Sequence, residues 1–194
     1  MPTTIEENEA VYEYLEAFGE WNFDTLGLGL FTQKPLKEAG HYIFTTMGIK
    51  EQFKTPTKNL LNFMNAIDSM YVSSNHYHNA FHAADVTSST VFLMRKGLQQ
   101  CGKLLDIDVF ALITAAMCHD IAHPGVNNAY LITSQNHLAM RYNDQSVLEN
   151  MHAALTFKIL HKNESNILST LSKEDYLAFR RITVQTILLS LIHI

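Results

Sequence analysis

The chain has 194 residues, of which 47% are apolar and 17% charged, with a formal net charge of -5. This is ordinary globular composition, long enough for one domain with a sizeable core. The acidic balance argues against a general nucleic-acid or membrane-surface binder, so any phosphate site must be local. No run reaches the ~20 apolar residues of a membrane span, and the acidic N-terminus, MPTTIEENEAVYEYLE, lacks the apolar core of a signal peptide. Cys101 and Cys118 form neither a disulfide framework nor a CxxC zinc spacing. The expectation is a soluble, cytoplasmic protein.

In chain order, apolar positions recur with helical period. Glu6 to Phe18 carries Ala10, Val11, Tyr14, Leu15 and Phe18 on one stripe and is ended by Gly19, so it should pack on the edge of the core. Asp24 is placed to cap a short helix across Leu26 to Phe31 that Gly27 and Gly29 interrupt. Pro35 can open a helix over Leu36 to Met47, which Gly48 closes. Thr57 to Tyr71 has an apolar face of Leu60, Leu61, Phe63, Met64, Ile67 and Met70. Asn79 to Lys96 fits a further helix, weakened by Thr87 to Thr90 and stopped by Gly97. Val126 to Ser134 and Ser146 to Leu160 follow, joined by a polar stretch around Tyr142-Asn143-Asp144. Ser172-Lys173-Glu174-Asp175 resembles a capping box ahead of Tyr176, Leu177, Phe179, Ile182 and Ile187. Without a convincing strand, repeat or linker, the reading is one all-α unit.

The chain is organised around Val109 to Gly125, VFALITAAMCHDIAHPG, where nine of the first ten residues are apolar. Periodicity alone does not separate a buried helix from a buried strand here, but length and Asp106 as N-cap favour a helix. Pro124 disfavours helical backbone at His123, and Gly125 readily takes a left-handed conformation, so the helix should stop near Asp120 to Ala122. His119 and Asp120 then fall on its last turn. A carboxylate beside an imidazole at the end of a core helix is costly to bury without a partner. A divalent cation would be that partner: imidazole with carboxylate suits zinc, and carboxylate with water suits magnesium or manganese. For a bare His-Asp pair the preferred reading is a plain helix C-terminus, where histidine favours the dipole and aspartate is solvated.

More of the chain bears on that choice. Tyr77-His78-Asn79-Ala80-Phe81-His82 sets two histidines four apart, which share one face only if the helix begins early enough to include His78. Together with His119-Asp120, His123, Glu149 and His152, they provide more imidazole and carboxylate than a structural core requires. Ligands on different helices can assemble a metal centre inside a bundle.

YHNAFHAADV, HDIAHPGVNNAYLI and LAMRYNDQSVLENMHAA resemble, in order and spacing, the catalytic domain of class I cyclic nucleotide phosphodiesterases. The resemblance runs from about Trp21 to about Leu188 and covers about the first half of that domain. It implies a compact multi-helix bundle of the HD-domain type, incomplete at its C-terminus, with residues 1–20 leading into a partial catalytic domain at 21–194. It implies that His82, His119 and Asp120 ligate a first metal, usually zinc. Asp120 would bridge to a second, usually magnesium or manganese. His78 matches the general acid, and His123, Glu149 and His152 match positions that hold water around the second metal. Asn79 would shape the turn beside His78. The implied reaction is two-metal hydrolysis of cyclic AMP, cyclic GMP or both to the 5′-monophosphate, with His78 and Asp120 contacting substrate.

Departures are also visible. The position after His119-Asp120-Ile121 is often acidic in the family and is Ala122 here, and Met151 replaces the first of two adjacent histidines. A fourth ligand, an aspartate on a later helix, cannot be assigned, nor can the residues that clamp the purine. The closing run from Ile187 to Ile194 reads as an uncapped apolar helix, the expected mark of truncation. An inactive fragment that acts as an interaction partner or homodimer is therefore the alternative reading, and another phosphohydrolase of the His-Asp group a third.

Overall fold

The computed structural model describes residues 5–98 and 104–190. Among these there are ten α-helices and no strand: α1 (Ile5–Leu15), α2 (Pro35–Thr46), α3 (Ile49–Gln52), α4 (Thr57–Met70), α5 (Ala80–Leu93), α6 (Asp106–Cys118), α7 (Asn128–Thr133), α8 (His137–Tyr142), α9 (Val147–Leu160) and α10 (Lys173–Leu188). Cys101 and Leu191 to Ile194, on which the sequence reading also touched, lie outside the described residues.

The apolar run forms the central helix α6, which packs chiefly between α5 and α10 and also meets α9. Phe110, Ala111, Ile113, Ala115, Met117 and Cys118 are fully buried. Phe110 sits in an aromatic cluster, its ring centroid 5.6 Å from Phe44, 5.0 Å from Phe53 and 4.9 Å from Phe179, which ties α6 to α2 and α10. Where α2 crosses, Gly40 permits close approach, since a Cβ there would lie 2.3 Å from the Met117 methyl and 2.5 Å from the Met64 sulfur. Val11, Leu15 and Phe18 bury against the same core.

Local capping sets the helix starts. Leu105, not Asp106, is the N-cap of α6; Asp106 is already helical, and the Leu105 amide donates to the Asp108 carboxylate at 3.0 Å. The Asp108 carboxylate reaches back to the N-cap amide at the start of the helix. α6 ends at Cys118, somewhat earlier than Pro124 and Gly125 suggest, because the backbone turns through Ala122 at φ 59 and Gly125 at φ 80. In α5 the hydroxyls of Thr87 and Thr90 donate to the carbonyls of Ala83 and Val86, so these weak helix formers stay in the ladder without unpaired groups. Ser172 caps α10 by accepting from the Asp175 amide at 3.0 Å. The helix α8 has no strong apolar stripe and was not expected; Asn136 caps it by accepting from Leu138 N. With Leu131, Val147, Leu148 and Met151, Ala139 of α8 forms a small second core beside α9. Met151 thus packs with α7 and α8, where an imidazole would be buried among apolar side chains.

Candidate metal centre

His82 comes from the first turn of α5 and His152 from the middle of α9, while His119 and Asp120, expected on the last turn of α6, stand in the turn just after it, with His119 as the C-cap. Asn79 determines what faces what. Its backbone is extended (φ -130, ψ -177), and its side-chain oxygen accepts from Phe81 N at 3.0 Å and His82 N at 3.2 Å, so α5 starts at Ala80. His78 therefore precedes the helix instead of sharing its face, and its ring centroid lies 6.0 Å from that of His82.

Three ligand atoms converge. His82 Nε2 and His119 Nε2 are 3.2 Å apart, and Asp120 Oδ2 lies 3.3 Å from the first and 3.2 Å from the second. The edge of a tetrahedron is 1.63 times its bond, so ligand bonds of ~2.0 to 2.1 Å demand edges of ~3.3 to 3.4 Å. Those atoms form a triangle of nearly that size. The ring orientation is fixed from behind: His119 Nδ1 donates to Ala116 O at 2.8 Å, leaving the Nε2 lone pair for the triangle. The cluster offers more acceptors than donors, which a cation resolves.

Proton affinities report the same shortage of positive charge. Burial alone would lower the His119 pKa, but the adjacent Asp120 carboxylate outweighs it and the net shift is upward. Burial likewise acts to raise Asp120, yet hydrogen bonds from His119 and His82 hold it well below the usual carboxylate range. A proton on His119 occupies the electrostatic place that a metal ion would take.

On the other oxygen of Asp120 the arrangement continues. His152 Nε2 lies 3.7 Å from Asp120 Oδ1, is buried, and has no hydrogen-bond partner. Its Nδ1 donates to Ile121 O at 2.7 Å, so this Nε2 is also a bare lone pair. Burial lowers the His152 pKa to about 4, although the Ile121 carbonyl and Asp120 pull it upward. His123 accepts at Nδ1 from Gly125 N at 3.0 Å and stands between His78 and His152, with ring centroids 3.8 Å and 5.8 Å away and tilts of 7° and 15°. Burial, with His78 next in effect, lowers its pKa to about 4. Burial also lowers His78. Glu149, one turn before His152 on α9, is fully buried, and both its oxygens accept from the Asn128 side-chain amide at 3.2 and 3.1 Å.

Two residues near the cluster carry no sequence signal. Tyr71 is buried; its hydroxyl donates to Met117 O at 3.0 Å and accepts from Asp120 N at 3.3 Å, pinning the end of α6. Asn128 holds Glu149 and also accepts from Leu148 N at 2.9 Å. The triangle opens into a cavity of about 590 Å³ walled by Tyr77, Val86, Leu112 and Leu189. Tyr77 covers one side, its ring 4.4 Å from that of His82. Among the described residues no helix is long and apolar enough to cross a membrane.

Comparisons with known proteins assign the family. The sequence profile of the 3′,5′-cyclic nucleotide phosphodiesterase family matches residues 77–190. The chain is 39% identical over 173 residues to 3′,5′-cyclic-nucleotide phosphodiesterase regA of Dictyostelium discoideum, a match spanning 89% of this chain and 21% of that one. It is 35% identical over 182 residues to the rat dual specificity calcium/calmodulin-dependent 3′,5′-cyclic nucleotide phosphodiesterase 1B, covering 92% of this chain and 34% of the relative. The phosphodiesterase domain of the RhoPDE fusion protein from the choanoflagellate Salpingoeca rosetta superposes with a TM-score of 0.82 at 31% identity, over 91% of this chain and 55% of that one. The chain thus spans about half of the solved domain and a smaller share of the curated relatives. With the profile spanning every residue of the His-Asp cluster, the chain belongs to the 3′,5′-cyclic nucleotide phosphodiesterase family.

Proposed function

We propose that this chain is the metal-holding portion of a phosphodiesterase catalytic domain that hydrolyses cyclic AMP, cyclic GMP or both to the 5′-monophosphate in the cytoplasm. The observation that carries the reading is the triangle of His82, His119 and Asp120, with the unpartnered Nε2 of His152 against the second oxygen of Asp120. Two imidazoles and a carboxylate at tetrahedral spacing suit zinc, and the side of Asp120 facing His152 suits magnesium or manganese with water. Two such cations supply Lewis acidity toward the phosphoryl oxygens and lower the pKa of water.

The chain's own groups supply the rest. Asp120 has one oxygen for each side, which a single imidazole nitrogen cannot offer. His123, Glu149 and His152 orient water beside Oδ1, with Asn128 holding Glu149 in place. His78, at the cavity rim, gives a proton to the leaving O3′. Residues 21–194 serve as the partial catalytic domain, and the segment 1–20, which contains α1 at Ile5–Leu15, leads into it.

The test is a chimera in which this chain replaces the matching segment of the S. rosetta domain, assayed with zinc and magnesium for 5′-monophosphate formed from cyclic AMP and cyclic GMP. Turnover that disappears with Asp120→Ala is expected. A folded chimera that holds zinc yet forms no 5′-monophosphate would overturn the reading.

A second reading is supported by Leu189, which lines the cavity with 75% of its surface exposed. An inactive chain that covers this wall by homodimerisation or on another protein would expose less of it. Sedimentation of the purified chain separates a monomer from a dimer.

A further inference from the structure

We propose that Asn75 is a positioning residue whose side-chain amide ties together the two loops bearing His78 and His123, and so sets the face-to-face placement of those imidazoles. Its consequence for catalysis rests on the reading of His78 as proton donor; the geometry itself does not.

Asn75 lies in the turn after α4, where its amide donates to Val72 O at 3.1 Å. Its Nδ2 donates to His78 O at 3.1 Å and to His123 O at 2.8 Å. Carbonyl oxygens only accept, so one nitrogen must bring two hydrogens to both, and the carboxamide NH2 does this with nothing left over. Tyr71 to Asn79 and His119 to Asn127 contain no α-helix, and at their far end the Tyr71 hydroxyl joins them by accepting from Asp120 N at 3.3 Å.

Neighbouring residues hold the clamp in register. Asn79 Nδ2 donates to Asn75 O at 2.9 Å, which joins it to the cap of α5. On the other side Gly125, at φ 80, leaves room: a Cβ there would come 2.9 Å from Asn75 Oδ1. The outcome is a His78–His123 centroid distance of 3.8 Å with a 7° tilt. Neither ring donates to the other, so their parallel placement follows from where the two backbones are held. A proton donor displaced by about 1 Å can lose on the order of 100-fold in rate, which makes such a clamp matter.

The experiment is nuclear magnetic resonance of the histidine ring protons in the 194-residue chain, with zinc titration of the same samples. Wild type should show an Overhauser contact between the His78 and His123 rings and upfield ring-current shifts. Asn75→Ala and Asn75→Asp should both lose them; aspartate keeps the shape and lacks the donors. Zinc affinity at His82, His119 and Asp120 should change less than the ~10-fold expected for a partner of a ligand. Should both variants unfold, Gly125→Ala carries the test by pressing on Asn75 from behind, and it should weaken the same contact. Persistence of the stack in Asn75→Asp or, in that event, in Gly125→Ala overturns the proposal, as does a loss of zinc affinity beyond tenfold in a folded Asn75 variant. No readout uses hydrolysis, so an inactive chimera would leave this result standing.

Discussion

Acidification of the metal-free protein should expose the energetic cost of burying His152. Its ring is fully buried, Nδ1 is committed to Ile121 O, and Nε2 has no partner, so the pKa falls from the ordinary 6.5 to about 4. The unfolded chain then binds a proton that the folded chain refuses between about pH 6.5 and pH 4, so stability falls as pH falls through this window. With those two values the loss from this one group is about 2 kcal/mol at pH 5 and about 3 kcal/mol at pH 4, relative to neutral pH. His123, whose pKa is also lowered to about 4, adds in the same direction. The comparison is urea unfolding by circular dichroism, with chelator present, from pH 7.5 to pH 4.5 for wild type and His152→Asn. Asparagine keeps a donor near Nδ1 and removes the titrating group, so its stability should fall less steeply, by about 2 kcal/mol at pH 5. Parallel curves for the two proteins would refute the assignment of the acid sensitivity to His152.

Three further outcomes are expected. Ala122→Gly should stabilise the fold by about 0.5–1 kcal/mol in urea, because Ala122 stands at φ 59; no gain would mean that the turn is not strained. Tyr71→Phe should cost about 1–3 kcal/mol, since Met117 O and Asp120 N lose a buried partner, and should weaken zinc binding measured by calorimetry. In the chimera, His78→Ala should keep zinc while turnover falls ~10² to 10⁴-fold, whereas Asp120→Ala should lose zinc as well; equal zinc loss in both would contradict the separate roles.

Helices were legible because their signals are local. The apolar run of α6, the Ser172 cap of α10 and the Pro35 start of α2 each lie within one or two turns of what they determine, and the structure keeps all three. A local signal also misled by one residue, since Leu105 and not Asp106 caps α6 through Asp108, while the Asn79 cap decides the open question of His78 by leaving it outside α5. Burial cost raised the question of a partner only for His119-Asp120, and it was the resemblance of the motifs that implied a ligand set of His82, His119 and Asp120. What surrounds them could not be read. Tyr71 meets Asp120 across 49 positions, Asn75 meets His123 across 48, and His152 meets Ile121 across 31. Such pairs leave no periodicity in the chain, and an asparagine in a turn looks the same whether it closes the turn or holds two loops together. Met151 is a related case, a departure in the motif that becomes intelligible only against Leu131 and Ala139 in the second core. Residue chemistry and helical period determined that a cluster of imidazole and carboxylate would end a core helix; the packing of α5, α6 and α9 decided that three of its atoms stand 3.2 to 3.3 Å apart.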